Sequence, residues 1–413
     1  ESLQIISSKN MSTKKKKSLT PYPHQDAALQ AWLKNDKRGI IEMPTGCGKT
    51  KTALFAFRNA IKSGKSATFI FAPTKAICNQ WIEEFEGEPC KICKIYDNPN
   101  WKRDLKKNIL DLKLGVFENL VVVGSYALIT SKVLIEEIRT LTEFNKFLIA
   151  DEAHSTGALK TSGGLIEDYN FRLALSATPK RYLDEDGTNR VFDFFGGVVY
   201  DKIGLYEAIY SLGVLCEYEY HLIQVFLNEE EMAQYSKLTK LLIMKVSMKS
   251  KDKYNTNLDS EIQRLAEKRA KIIKNCSAKL DKLPEIVEEI KEDKSIIFVS
   301  PKQREEVLKI VRNRIKYHQY TYSEDTEVRS RALENFKEGK IQALVAIKCL
   351  DEGLDVPAAR AGVIMASSGN PREFIQRRGR LLRKHPNKKY AKIFDFFVTP
   401  SKEAISSSEM YKN

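Results

Sequence analysis

The sequence has no apolar run that approaches the roughly 20 residues needed to cross a bilayer as a helix. Its first residues also lack the apolar core of a secretory signal and carry four consecutive lysines, Lys14 to Lys17. We therefore expect residues 1–18 to form a basic, disordered leader.

Histidine is scarce, and cysteine is scattered. The chain has five histidines and an odd number of cysteines, seven, which argues against a disulfide framework. This usage indicates a reducing, intracellular compartment, either cytoplasm and nucleoid or a nucleus. Cys90 and Cys93 form a single C-x-x-C pair, but a structural zinc site usually needs a second pair or nearby histidines. We interpret the two as ordinary thiols.

Acidic residues are outnumbered by basic ones. The formal net charge is +14, which is compatible with a polyanionic partner but does not select one. With 413 residues, 42% of them hydrophobic, the chain can build two or three domains with ordinary cores.

The feature with the clearest chemistry is GIIEMPTGCGKTK, residues 39–51. A short apolar strand runs into a glycine-containing loop and then into a helix, so backbone N–H groups and the helix dipole can face phosphate oxygens. In such loops the Lys, here Lys49, reaches the β- and γ-phosphates, and the hydroxyl of the next residue, Thr50, ligates Mg²⁺. Met43 stands where the strict pattern has glycine, and a plain strand-to-helix turn is the alternative.

Two blocks of short, nearly continuous apolar segments predict two parallel sheets, because strands buried on both faces have this pattern. Helical stretches separate several of them, which favours an α/β doubly wound architecture. The first block comprises residues 67–72, 119–125, 146–151 and 171–177, and the second comprises 295–300, 341–347, 361–367 and 392–398.

A Lys/Glu-rich region, roughly residues 227–294, separates the blocks and predicts a helical insertion. We expect the chain to pass from one block to the other near residues 200–215. Within the insertion, one amphipathic helix is marked by Leu258, Ile262, Leu265, Ile272, Ile273 and Cys276.

Polar residues follow two strands of the first block. Asp151 and Glu152 come directly after an apolar strand, and the carboxyl ends of parallel strands face the ligand crevice. Two carboxylates there suit Mg²⁺ binding and activation of water for γ-phosphate hydrolysis. Ser176 and Thr178 end the next strand, where they could hydrogen-bond these carboxylates or simply make a turn.

Two further candidates lie at opposite ends of the chain. Gln25 precedes a predicted helix and could bind an adenine edge or cap that helix. Gln376, Arg380 and Arg383 share one face if residues 376–383 form a helix, and they suit either a polyphosphate or nucleic acid.

The ordered motifs resemble those of superfamily 2 helicases and translocases over about residues 20–400. The strings MPTGCGKT, LIADEAHS, LALSATP, LVAIKCLDEGLDVP and QRRGRLLR resemble motifs I, II, III, V and VI, and FAPTKAICNQW, VVGSYALIT and IIFVSP resemble motif Ia, the next nucleic-acid motif and motif IV. Three cues, DEGLDVP, the QRRGRLLR ending and AIYSLGVL, make the chain similar to the DEAH-containing DNA motors. These include type I and type III restriction motor subunits and excision-repair DNA helicases.

The resemblance implies two RecA-like domains in tandem that bind ATP and Mg²⁺ between them and move on DNA. The expected ranges are 19–205 for the ATP-binding domain, 206–400 for the C-terminal domain and 401–413 for a tail. Nuclease, repair or restriction subunits are the implied partners.

The resemblance also assigns roles by position. Nucleotide-binding roles fall on Gln25, Thr45, Gly46, Cys47, Gly48, Lys49, Thr50, Gly353 and Asp355, and metal binding falls on Thr50 and Asp151. Catalytic roles fall on Lys49, Asp151, Glu152, Gln376, Arg380 and Arg383. Ser176 and Thr178 would couple hydrolysis to movement, and Thr74, Ser125 and Lys348 would contact nucleic acid.

Ile347 departs from the family pattern, which often has a strand-binding Thr there. Two alternatives stay open: an RNA helicase or RNA sensor, and an ATPase switch that does not unwind. Glu338-Gly339-Lys340 has the E-x-K pattern of a metal nuclease, but we interpret it as a solvated helix end and find no nuclease centre.

Overall fold

The computed structural model describes residues 20–182, 184–251, 256–321, 324–347, 356, 358–366, 375, 378–386 and 388–399. These residues form two parallel sheets, each covered by helices, as the two apolar blocks predicted. The leader at residues 1–18 and the tail at 401–413 lie outside the described residues.

The first sheet has seven parallel strands in the order β3-β4-β2-β5-β6-β1-β7. Their bounds are β1 Arg38–Glu42, β2 Ser66–Ala72, β3 Lys91–Lys94, β4 Asn119–Ser125, β5 Asn145–Asp151, β6 Phe171–Ser176 and β7 Val198–Tyr200. Helix α1, Pro23–Lys34, precedes β1. The helices between the strands are α2 Lys49–Ala60, α3 Lys75–Phe85, α4 Trp101–Lys113, α5 Lys132–Arg139, α6 Leu159–Ser162 and α7 Glu185–Phe195. Every residue of β2 is buried, as a central strand of a parallel sheet requires.

The second sheet has six parallel strands in the order β10-β11-β9-β12-β13-β8. Their bounds are β8 Glu217–Phe226, β9 Ser295–Phe298, β10 Tyr317–Thr321, β11 Ala343–Ile347, β12 Ala361–Ile364 and β13 Tyr390–Thr399. The helices are α8 Glu229–Lys251, α9 Thr256–Lys274, α10 Ala278–Glu289, α11 Arg304–Arg312 and α12 Thr326–Glu338.

The predicted helical insertion divides into two parts. Helices α8 and α9 pack against each other, with Lys245 Nζ 2.6 Å from Glu261 Oε2. Helix α10 instead buries Leu283 and Val287 in the core of the second sheet. The amphipathic helix predicted through Cys276 ends at Lys274, so that part of the prediction was wrong. Cys276 lies beyond the helix end, buried against the second sheet.

The tripeptide Glu338-Gly339-Lys340 lies at a helix end, as predicted. Glu338 is the last residue of α12, and Gly339 caps it with a φ of 81°. Lys340 Nζ lies 2.6 Å from Glu338 Oε2, and both side chains are exposed. The Lys is therefore engaged in a solvated ion pair.

Within the described residues, no helix is both long enough and apolar enough to cross a membrane. Burial raises the pKa of the Cys90 and Cys93 thiols to about 12, so both are protonated at neutral pH.

Candidate nucleotide site between the two sheets

The carboxyl edge of the first sheet collects most of the predicted site. Strand β5, which ends at Asp151, pairs with β2 on one side and β6 on the other. Strand β6 in turn pairs with β1, which leads into the glycine loop. The parallel order therefore places Asp151 between the glycine loop and the segments that follow β2 and β4.

The loop after β1 has the backbone that its glycines predict. Gly46 and Gly48 have φ values of 96° and 82°, a region that favours glycine, and Gly48 is the N-cap of α2. The first N–H groups of α2 thus lack intrahelical acceptors at the mouth of the loop. Lys49 Nζ donates to Met43 O at 3.0 Å, so the cation folds back across the loop.

Helix α1 packs directly on this loop. Gln25 is the third residue of α1 rather than a residue before it, and its Nε2 donates to Gly48 O at 3.4 Å. Its Oε1 accepts from Tyr22 N at 3.0 Å, so the capping role also applies. His24 Nε2 donates to Cys47 O at 2.9 Å, a contact that no motif in the sequence predicts.

Gly48→Ala is expected to weaken nucleotide binding, because a Cβ there would lie 2.2 Å from Gln25 Nε2. Gly87 has the same φ of 82° with nothing within 4 Å of such a Cβ, so Gly87→Ala is the matched control. The left-handed backbone should cost both variants about 1–2 kcal/mol in the free energy of unfolding. Only Gly48→Ala should lose ADP affinity, by about tenfold, or about 1.4 kcal/mol, in a fluorescence titration. Equal ADP affinity in the two variants would show that the contact between a Cβ at position 48 and Gln25 does not weaken nucleotide binding.

Asp151 and Glu152 occupy the end of β5 and the turn after it. Asp151 Oδ1 accepts from Glu152 N at 3.0 Å, and Oδ2 accepts from Trp81 Nε1 at 2.9 Å. Burial raises the pKa of the Asp151 carboxyl, and the negative charge of Glu152 raises it further, whereas Lys49 lowers it. Glu152 has a φ of 50°, unusual for a residue with a Cβ, and its Oε2 lies 3.6 Å from His154 Nδ1.

The two hydroxyl residues after β6 lie at the same edge. Ser176 is fully buried, and its Oγ accepts from Thr178 N at 3.0 Å. The Thr178 hydroxyl is buried and makes no hydrogen bond to the described residues. The sequence left two roles open for Ser176 and Thr178: hydrogen bonds to the carboxylates, or a simple turn after the strand. The described hydrogen bonds show the turn.

The arginine segment departs from the predicted single helix. Arg380 lies in a helical turn, but Arg383 has left it and pairs antiparallel with Leu215. The expectation that Gln376, Arg380 and Arg383 share one helix face was thus wrong for Arg383. The cause is tertiary, since Leu382 O accepts from Cys216 N at 2.8 Å and Arg383 O accepts from Lys388 Nζ at 3.2 Å.

One cavity of about 590 Å³ nevertheless joins these groups across the two domains. It is lined by Thr45, Gly46, Gly48, Lys49, Thr50, Lys51, Ile77, Gln80, Glu84, Asp151, Glu152, Val214, Arg380, Arg383 and Lys384. The second domain also contacts the loop directly, since a Cβ on Gly379 would lie 3.1 Å from Thr45 Cβ. The cavity therefore carries cations from both domains, and its three carboxylates, Glu84, Asp151 and Glu152, all come from the first domain.

Thr74 and Ser125 are not among the residues that line the cavity. Thr74 is the N-cap of α3, with Oγ1 accepting from Ile77 N at 3.4 Å, and Ser125 ends β4. Gln376, Gly353, Asp355 and Lys348 lie outside the described residues.

Comparison with known families and proteins agrees with this architecture. The family described as "Type III restriction enzyme, res subunit" matches residues 18–181, and "Helicase conserved C-terminal domain" matches residues 278–385. The chain is 31% identical to "DNA 3'-5' translocase XPB2" of Sulfurisphaera tokodaii, over 87% of this chain and 78% of that protein. It is 24% identical to "Putative helicase 22" of Sulfolobus islandicus filamentous virus, over 90% of this chain and 63% of that protein.

Two solved structures share the fold. The DNA-bound Type ISP restriction-modification enzyme LlaBIII aligns with a TM-score of 0.63 at 18% identity. The alignment covers 94% of this chain and 28% of the LlaBIII chain. The helicase domain of Pyrococcus furiosus Hef aligns with a TM-score of 0.53 at 16% identity. The alignment covers 93% of this chain and 97% of the Hef chain. With two parallel-sheet domains, both family matches and a relative aligned over most of its length, the chain belongs to superfamily 2 of helicases and translocases and is an ATP-hydrolysing enzyme.

Proposed function

We propose that this protein is an ATP-dependent DNA motor that converts closure of the cleft between its two domains into movement on, or unwinding of, DNA. The observation that carries the proposal is the shared cavity, because Lys49, Glu152 and Arg383 line it together although they come from distant parts of the chain. A site assembled from two domains can change the relation between those domains whenever its ligand changes. DNA is the preferred track because the translocase relative is named for it.

The loop residues Thr45, Gly46, Cys47, Gly48, Lys49 and Thr50 would hold the triphosphate of ATP. Backbone N–H groups at the start of α2 would face phosphate oxygens, and Lys49 would exchange Met43 O for the β- and γ-phosphates. Gln25 would bind the adenine edge after releasing part of its contact with Tyr22 or Gly48. Gly353 and Asp355 would add nucleotide contacts from the second domain.

The donor set fits Mg²⁺. Thr50 and Asp151 supply oxygen ligands, and Mg²⁺ is usually bound through one or two carboxylates plus substrate phosphates. Burial, and after it the negative charge of Glu152, raises the pKa of Asp151, and a bound cation would favour the ionised carboxylate. Mg²⁺ held by Thr50 and Asp151 would supply neutralisation of the charge on the phosphate oxygens.

Glu152 would orient the attacking water and accept its proton, with His154 beside the carboxylate. Arg380 and Arg383, with Gln376, would approach the γ-phosphate from the second domain and stabilise the charge that spreads over its oxygens. Ser176 and Thr178 would couple the state of this edge to movement. Thr74, Ser125 and Lys348 would contact the nucleic-acid backbone, where contacts give grip without sequence choice.

The finer assignment is to the DEAH-containing DNA motors that resemble restriction motor subunits and excision-repair helicases. Nuclease, repair or restriction subunits are the proposed partners, and a reducing intracellular compartment is the proposed location. An RNA helicase or sensor and a non-unwinding ATPase switch are the competing functions.

The test is the steady-state ATPase rate across matched single-stranded, double-stranded and forked DNA and RNA. We expect DNA to stimulate turnover by about tenfold or more, and we expect Lys49→Ala to abolish the stimulated rate. Strand displacement and triplex displacement assays then separate unwinding from translocation. Stimulation by RNA alone would support the RNA alternative, and ATPase without either displacement would support the switch. Unchanged turnover in Lys49→Ala would reject the ATP site itself.

A further inference from the structure

Asp151 is held by two aromatic side chains that come from different segments. The first is Trp81 on α3, whose indole Nε1 donates to Asp151 Oδ2 at 2.9 Å. Trp81 is 1% exposed, and its ring packs near Phe85, so the indole has little freedom to turn away. The donor therefore fixes one carboxylate oxygen of the proposed metal ligand.

The second is Tyr126, which follows β4. Its hydroxyl donates to the main-chain oxygen of Asp151 at 2.7 Å, and its ring is buried against Phe71. The contact reaches Asp151 across the intervening strand β2, since β2 lies between β4 and β5. Side chain and backbone of the same residue are thus held from two directions.

Both aromatic residues belong to segments that begin at a proposed nucleic-acid contact. Thr74 is the N-cap of α3, about two turns before Trp81, and Ser125 immediately precedes Tyr126. The segments are also joined to each other, because Cys78 Sγ donates to Gly124 O at 3.4 Å. A shift of either segment would consequently be transmitted to Asp151 through a hydrogen bond.

We propose that Trp81 and Tyr126 are positioning residues that transmit nucleic-acid binding at Thr74 and Ser125 to the orientation of Asp151. The proposal rests on the proposed function, and it names the physical route by which the track controls hydrolysis. Coupling between the nucleic-acid contacts and Asp151 needs a structural element that touches both sites. Helix α3 and the Ser125–Tyr126 turn each do so.

Packing alone does not account for the two polar groups that contact Asp151, the Trp81 indole N–H and the Tyr126 hydroxyl. A phenylalanine would fill most of either position, but it would leave Asp151 without the donor. The comparison with Trp32 is informative, because this equally buried tryptophan donates to Arg172 O at 3.0 Å, at the beginning of β6 and away from the cleft. Replacing Trp32 with phenylalanine would remove a buried indole hydrogen bond and leave the described hydrogen bonds of Asp151 in place.

The experiment measures ATPase rates of the full chain with and without saturating DNA for Trp81→Phe, Tyr126→Phe and the control Trp32→Phe. In the first two variants we expect the ratio of stimulated to basal rate to fall by about fivefold or more, with DNA affinity unchanged. Trp32→Phe should keep the wild-type ratio even if its stability falls. As a readout independent of turnover, the Mg²⁺ concentration that half-saturates binding of a fluorescent ADP analogue should rise in Trp81→Phe.

The outcomes separate this inference from the proposed function. A wild-type chain without DNA-stimulated ATPase would reject the function. A stimulated wild type with unchanged ratios in Trp81→Phe and Tyr126→Phe would overturn the inference and leave the function standing. Loss of DNA affinity in these variants, or an equal loss of ratio in Trp32→Phe, would also overturn it.

Discussion

Glu152→Gln is expected to lower kcat for ATP hydrolysis by about 10²–10⁴-fold, the range that general-base catalysis contributes. Gln keeps the size and shape of Glu but cannot accept the proton of an attacking water. The neighbouring Asp151 Oδ1 accepts from the backbone N–H of Glu152, and this contact does not depend on the side chain. Binding of Mg-ATP should therefore persist while turnover stops.

Steady-state phosphate release and a fluorescent nucleotide titration measure the two quantities on the same protein. Glu136→Gln, on the exposed face of α5, removes one carboxylate away from the cleft and should leave both quantities at wild-type values. Equal loss of ATP affinity and of kcat in Glu152→Gln would show that Glu152 binds nucleotide rather than activating water. Wild-type turnover would remove it from the catalytic site.

The catalytic edge could be predicted because its residues follow buried strands. The five residues before Asp151 are buried, and the last four, residues 147–150, form an apolar run that fixes both the strand and the direction in which the pair emerges. The contacts of Trp81 and Tyr126 with Asp151 could not be predicted in this way. They depend on the lateral order β4-β2-β5, and the sequence of a parallel sheet does not reveal which strands are neighbours.

Strands at or near sheet edges escaped prediction for a different reason. Lys91–Lys94 is short and has one fully buried residue, Tyr317–Thr321 is largely half-buried, and Glu217–Phe226 is exposed or half-buried along most of its length. An edge strand needs no continuous apolar run, because one side of it faces solvent or a loop. The length of β8 comes instead from its partner, since it pairs with β13 over its entire length.

The arginine segment shows how tertiary hydrogen bonds override helical periodicity. Lys388 is buried, and its Nζ donates to Leu381 O and to Arg383 O. The carbonyl oxygen between these two, Leu382 O, accepts from Cys216 N. Burial lowers the pKa of the Lys388 ammonium to about 8, and its donation to carbonyl groups compensates the buried charge. These contacts hold the main chain of residues 381–383 in place without using any arginine side chain.

Arg383→Ala is therefore expected to remove a guanidinium from the cleft without releasing the segment that carries it. If Arg383 stabilises the transition state, kcat should fall by about 10³-fold or more, the effect typical of an arginine finger. Arg380→Ala should have an effect of the same order, because the Arg380 side chain is buried in the same cavity. Arg383→Lys should recover only part of the rate, since an ammonium keeps the charge but not the planar pair of donors.

Single-turnover ATPase rates and ADP affinity check this expectation, and Arg312→Ala, at the exposed end of α11, is the matched control. A loss of kcat with ADP affinity close to wild type places Arg383 at the γ-phosphate, because ADP lacks that phosphate. A loss of ADP affinity alone would instead place Arg383 on the ground-state nucleotide. Unchanged rates in both arginine variants would mean that the second domain does not complete the site, and closure of the cleft would then have no chemical consequence.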